Sequence, residues 1–172
     1  ERTPMNDLMA WNADGTRMPY RMHSEYLRKM FLQNQLVQGK FEAGGAPVAL
    51  GDIEAPIFAV GTTADHVAPW RSVFKIHLFC DGEVTFVLTN GGHNAGIVSE
   101  PGHKHRHYQM ATRPANGHYV DPDAWAEFTP HREGSWWPAW AEWLAAHSGA
   151  PAAPPAMAEA LCKAPGAYVL MK

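Results

Sequence analysis

Two short apolar runs, Ile57–Val60 and Val84–Leu88, stand out from an otherwise mixed pattern. Both are rich in branched and aromatic residues, too short for a helix, and bounded by turn residues, so each predicts a buried strand. Between them, Pro69–Cys80 is long enough for a crossover helix. Pro69 suits its first turn, and Trp70, Val73, Phe74 and His77 or Leu78 would face the sheet. Strand, helix, strand with short connections predicts a parallel unit. Upstream, Tyr26, Leu27, Met30, Phe31 and Leu36 or Val37 fall near helical spacing. They predict a helix capped at His23 or Ser24, running to about Val37 and stopped by Gly39. Residues 40–55 carry Gly44, Gly45, Pro47 and Gly51 and read as a short hairpin or irregular connector, with Val48–Leu50 as a brief strand. Residues 114–133 are turn-rich, with a short helix over Pro122–Phe128. Ser135 then caps an amphipathic helix with Pro138 in its first turn and Trp136, Trp140, Trp143 and Leu144 on one face, ended by Gly149. This stripe reads as core rather than as a surface for a partner. The Ala/Pro-rich stretch after Ser148 is extended, and Glu1–Tyr20 is loop.

Each of the two strands is followed by a group able to handle protons. Asp65 follows the first and His93 the second. In a parallel unit both C-terminal strand ends open on one sheet edge, where ligands and catalytic groups of open α/β sheets gather. An acid after one strand and a His after the next is the acid–His half of an α/β-hydrolase triad, in which the nucleophile comes first in the chain. The alternative makes Asp65 a turn or cap residue and His93 a polar loop residue. From the residues alone the two readings balance. Gly91 and Gly92 would let the backbone turn sharply and bring His93 over the edge.

Composition narrows the function classes. The chain has 172 residues, 46% of them hydrophobic, enough for one domain with a sizeable core. Charged residues are 18% and the formal net charge is −3, which argues against a general nucleic-acid binder. There is no apolar run long enough to cross a membrane and no signal-like start. Cys80 and Cys162 form no C-x-x-C and suggest no disulfide framework, predicting a reducing compartment. Neither suits an elbow nucleophile, since Cys80 lies between acid and His and Cys162 in the tail.

Several segments carry a resemblance in a consistent order. A-D-H-V-A-P-W at Ala64–Trp70 and G-G-H-N-A-G-I-V at Gly91–Val98 are similar to the C-terminal part of polyhydroxyalkanoate synthases. So are L-M-A-W-N-A-D-G-T at Leu8–Thr16, Y-L-R at Tyr26–Arg28, G-S-W-W-P-A-W at Gly134–Trp140 and A-P-G-A-Y-V at Ala164–Val169. The resemblance implies the C-terminal portion of an α/β-hydrolase fold. Residues 1–40 would be part of the lid, 41–148 part of the catalytic domain and 149–172 an extended tail. No G-x-C-x-G or G-x-S-x-G elbow is present, so the nucleophile is expected in an upstream part of a longer enzyme, and this segment alone is expected to be inactive. The implied substrates are a 3-hydroxyacyl-CoA and the growing polyester. The implied setting is a homodimer at cytoplasmic polymer granules, with no metal and no cofactor. Asp65 and His93 take the catalytic roles, His93 as base and Asp65 as its orienter or as a direct base. Trp11 and Asn12 would line substrate entry, or serve as a packed Trp and a turn Asn. Ala95 would sit as a small residue beside the pocket. His66 would support the loop or touch substrate. The M-H-S-E before Tyr26 and Asn94 depart from residues common in the family.

One cluster stands apart. His103, His105 and His107 alternate in H-K-H-R-H. A solvated loop is the reading preferred over a metal site, and Lys104 and Arg106 are candidates to meet the phosphates of coenzyme A.

Overall fold

The computed structural model describes residue 15, residues 17–163 and residue 166. Trp11, Asn12 and most of the two terminal matching segments therefore lie outside the described residues. The sheet is built from β3 (Ile57–Thr62), β4 (Val84–Thr89), β5 (His107–Arg113) and β6 (His131–Glu133), hydrogen-bonded in that order. β3 and β4 run parallel, in register from Ile57 beside Val84 to Thr62 beside Thr89. The expected parallel unit is present. Beyond β4 the sheet turns antiparallel, through β5 and β6, two strands that the hydrophobic pattern does not announce. In β5 the reason is chemical. Gln109 is buried in the strand and spends its amide on the carbonyls of Ala126 and Thr129, each at 2.6 Å. A polar residue satisfied in this way is stable in a core and invisible to a hydrophobicity pattern.

Alternate residues of β4 face opposite sides. Phe86 and Leu88 join Trp70, Phe74 and Trp125 on one side, while Val87 joins Tyr108 and Trp136 on the other. The first side is covered by the crossover, which is two short helices, α2 (Trp70–Phe74) and α3 (Ile76–Phe79), and by α4 (Pro122–Phe128). The other is covered by α5 (Trp137–Ala146), whose Trp143 lies 5.4 Å from the Phe58 ring. β4, buried along its whole length, reads as a continuous apolar run for this reason. Pro69 precedes the first helical turn instead of lying in it, and accepts from the amides of Ser72 and Val73. Leu78 is exposed, so His77 takes the inward place.

Upstream, α1 (Tyr20–Glu25) starts directly after Pro19 and passes into a wider helical segment over Tyr26–Leu32. The expected start at His23 or Ser24 and end near Val37 are both corrected. Pro19, with its fixed φ, sets the beginning, and Asn34, at φ 48°, turns the chain left-handed and ends the helix. The hairpin pairs β1 (Phe41–Ala43) with β2 (Ala46–Val48), so its second strand precedes Leu50. α5 stops at Ala146, short of Gly149. The tryptophan stripe divides. Trp136 is buried, whereas Trp140 and Leu144 are each 40% exposed. Among the described residues no helix is long and apolar enough to cross a membrane.

At the edge remote from His93, beside the first residues of β4, lies a cavity of about 430 Å³ lined by Phe74, His77, Ala111, Arg113, Val120 and Trp125. His77 is only 7% exposed and accepts from Arg113 Nε at 3.3 Å. Burial, and then the Arg113 charge, push its pKa down to about 4. The unfolded chain, with a His near 6.5, thus binds this proton more tightly than the folded one. Stability is highest above the unfolded value and falls as pH drops toward 4, by up to about 3 kcal/mol. In the full-length protein, His77→Gln retains an acceptor for Arg113 and is expected to flatten that slope. Denaturation midpoints between neutral and mildly acid pH measure it. Equal slopes in the two proteins would show that His77 does not titrate this way.

Candidate active site

Asp65 follows the end of β3 and His93 the end of β4, and the parallel register sets the two strand ends side by side. His93 Nδ1 lies 2.9 Å from Asp65 Oδ2. The other carboxylate oxygen, Oδ1, accepts from the amides of Val67 and Ala68, both at 2.8 Å. Asp65 is therefore also a turn residue, and the two readings of it coexist in one side chain. The Ala68 amide first, then His93 and the Val67 amide, hold the carboxyl below its ordinary range, outweighing the opposing effect of burial. Near neutral pH Asp65 is thus an anion and an acceptor only. The proton in the contact therefore belongs to Nδ1, and Nε2 is the ring nitrogen that Asp65 does not engage. The Asp65 side chain is 8% exposed and that of His93 46%. One group is set in the protein and the other presents its free nitrogen outward.

The loop carrying His93 rests on close backbone approach. The Ala64 amide donates to Gly91 O at 3.0 Å, and the Gly96 amide to Gly92 O at 2.9 Å. Gly91 has φ 114°, and a Cβ there would stand 2.8 Å from Arg106 Nη1 and from Gly96 Cα. At Gly96 a Cβ would meet Thr62 Cγ2 at 2.5 Å, against the end of β3. Only glycine admits the loop so near the neighbouring strand.

His66 is exposed and makes no hydrogen bond among the described residues, so it gives the loop no polar support. Ala95 is exposed, and its carbonyl accepts from Arg106 Nη2 at 2.7 Å. Arg106 also donates to Asn90 O, so its guanidinium is turned into the His93 loop and away from a phosphate role. His103 pairs with Glu100 at 3.0 Å and His107 lies in β5 with its ring 5.7 Å from that of His131. Only His103 and His105 stand in the loop. No group of three or more metal-ligating side chains occurs among the described residues. Cys80 is buried, its thiol 3.4 Å from Leu50 O, and burial pushes its pKa up, which disfavours the thiolate. Residue types alone did not mark Arg106 or the indole N–H groups of Trp136 and Trp137 as loop contacts. Both tryptophans donate to the His93 loop, to Gly96 O at 3.2 Å and Ile97 O at 2.9 Å.

No family model matches the chain. Individual proteins do. The chain is 41% identical over 95% of its length to the poly(3-hydroxyalkanoate) polymerase subunit PhaC of Rhizobium etli, and covers 26% of that protein. It is 40% identical over 96% of its length to the poly(3-hydroxyalkanoate) polymerase of Methylorubrum extorquens, covering 28% of it. The corresponding protein of Cupriavidus necator is 36% identical over 96% of the chain, again with 28% of that protein covered. The chain spans about a quarter of the length of these relatives. Over nearly all of its own length, the chain is similar to part of these poly(3-hydroxyalkanoate) polymerases.

Proposed function

We propose that the full-length protein carrying this segment is a polyhydroxyalkanoate synthase, an acyltransferase that polymerises (R)-3-hydroxyacyl-CoA and releases coenzyme A. The segment is read as the C-terminal part of an α/β-hydrolase domain with part of its lid. β3, at the end of the strand order, would pair on its outer edge with the rest of the sheet. The observation that carries the mechanism is the 2.9 Å contact between His93 Nδ1 and Asp65 Oδ2, with Nε2 left outward.

In this reading His93 Nε2 takes the proton of a cysteine thiol supplied by the rest of the enzyme. The thiolate attacks the thioester carbonyl, the bond to coenzyme A breaks, and the imidazolium returns the proton to the departing thiolate. The acyl group is now held on the enzyme. His93 next takes the proton of a hydroxyl, whose oxygen attacks the acyl-enzyme and forms the new ester, and the cysteine recovers its proton. Asp65 keeps the ring oriented and stabilises its charged form. Its engaged, little-exposed carboxylate supports this orienting role over that of a direct base. The unbonded His66 ring, beside the pair, is assigned to substrate contact. Action at cytoplasmic granules and homodimerisation belong to the same proposal.

The test is product analysis. Full-length enzyme given (R)-3-hydroxybutyryl-CoA is expected to release coenzyme A and accumulate polyester. Coenzyme A release with free 3-hydroxybutyrate alone would replace this reading with a thioesterase.

A further inference from the structure

We propose that Arg106 and the run Ser135–Trp136–Trp137 are positioning residues for His93, acting through the backbone of the loop that carries it. The proposal rests on the reading of His93 as the base. The imidazole touches Asp65, yet its side chain is 46% exposed. Packing around the ring therefore does not hold it, and its placement falls to the backbone. A base displaced by an ångström loses much of its advantage.

The loop is held in an uncommon way. Carbonyls at the end of a helical turn have no partner within the turn, and water ordinarily serves them. Here four of the five carbonyls from Ala95 to Ser99 are taken by side chains from distant parts of the chain. Arg106 Nη2 donates to Ala95 O at 2.7 Å, Trp136 Nε1 to Gly96 O at 3.2 Å, Trp137 Nε1 to Ile97 O at 2.9 Å, and Ser135 Oγ to Ser99 O. Each donor is itself fixed. Trp136 is 5% exposed and packed with Val87 and Tyr108, and its ring stacks 6.2 Å from Phe58. Ser135 Oγ accepts from the Trp137 amide at 3.0 Å, tying the start of α5 to the same loop. Arg106 bridges both ends of the His93 turn, since Nη1 reaches Asn90 O at 3.3 Å. The loop that carries His93 beyond β4 and the helix that covers the sheet are thereby locked to one another around the base. This gives the serine and paired tryptophans of the G-S-W-W segment work that core packing alone does not require.

Trp137→Phe, in the full-length polymerase, removes one donor and keeps a ring of similar shape. The expected result is a fall of about tenfold in kcat, the size of one lost hydrogen bond, with KM for the acyl-CoA within about twofold. In the folded variants the NMR signal of the His93 Nδ1–H proton, which the Asp65 contact sets, is expected to shift or broaden. Arg106→Lys, which cannot serve Asn90 and Ala95 together, is expected to show the same pattern and decides the matter if the Phe variant does not fold. Unchanged kcat and an unchanged Nδ1–H signal in the folded variants overturn the proposal. So does a loss of activity that merely follows the folded fraction while that signal stays in place. His93→Gln, run in parallel, separates the two possible failures. Full activity there means the base assignment itself has failed. An inactive Gln variant beside unaffected Trp137 and Arg106 variants means that only the clamp has.

Discussion

Replacing His93 with Gln in the full-length protein is expected to lower the kcat of the proposed polymerisation by roughly 10³-fold or more, the range measured when a general base paired with a nucleophile is removed. On the proposed reading the effect falls on acylation, since Nε2 is the group that receives the thiol proton. Rapid-quench measurement of the acyl-enzyme formed from (R)-3-hydroxybutyryl-CoA reads this step directly. An acylation rate within a few fold of the parent's would refute the assignment. Asp65→Asn is the companion. Its amide could still occupy the turn, but the anion that fixes the Nδ1–H tautomer would be gone. A loss of about 10²- to 10⁴-fold is expected from the wrong tautomer and the unstabilised imidazolium. If Asp65 were instead the direct base for the incoming hydroxyl, Asn would spare acylation and stop only chain growth. Acylation and elongation measured separately therefore distinguish its two roles.

Phe86→Ala is expected to cost about 3–5 kcal/mol of stability, as for other fully buried aromatic truncations. Phe86 is 0% exposed at the centre of the larger cluster. Its ring meets Phe74 at 4.9 Å and Trp125 at 5.3 Å, both edge-on. It also stands against β3, for a Cβ on Gly61 would come within 3.1 Å of Phe86 Cζ and 2.9 Å of Trp70 Cβ. The neighbours on the sheet and on two helices cannot close together over the vacated volume without moving a strand. The consequence reaches the site. Phe86 lies on the strand that leads to His93, and Trp70 opens the helix that follows Asp65, so amide exchange over residues 62–70 and 89–96 should quicken along with the global loss. Urea denaturation of the full-length protein supplies the stability measurement. A loss below about 1 kcal/mol would mean that the site repacks, contrary to the geometry.

The outcome at the tryptophan stripe shows how far a residue pattern reaches. Helical spacing placed Trp136, Trp140, Trp143 and Leu144 on one face, and Trp136 is indeed core. Trp140 and Leu144 are each 40% exposed, on the part of α5 that lies over β3, the strand at one end of the order among the described residues. Trp137, one position off the stripe, makes a contact that no periodicity assigns, through its nitrogen and not through its apolar area. The histidine run behaves in the same way. Its alternation suits an extended segment, yet only His107 is in a strand, and His105, at φ 61°, ends a turn.

Near-neighbour chemistry was written plainly in the chain. Two apolar runs, the turn residues around them and the order acid then His determined a parallel unit with Asp65 and His93 at one edge. Such features depend on residues a few places apart, and φ preference and hydrophobic period act at that range. The antiparallel extension through β5 and β6, the inward Gln109 and the side chains on the His93 loop were decided only in three dimensions. Their bonds join groups 11 to 40 positions apart. An arginine, a glutamine or an indole N–H carries no local sign of which distant carbonyl it will satisfy. That choice follows from which backbone groups the folded sheet leaves without a partner.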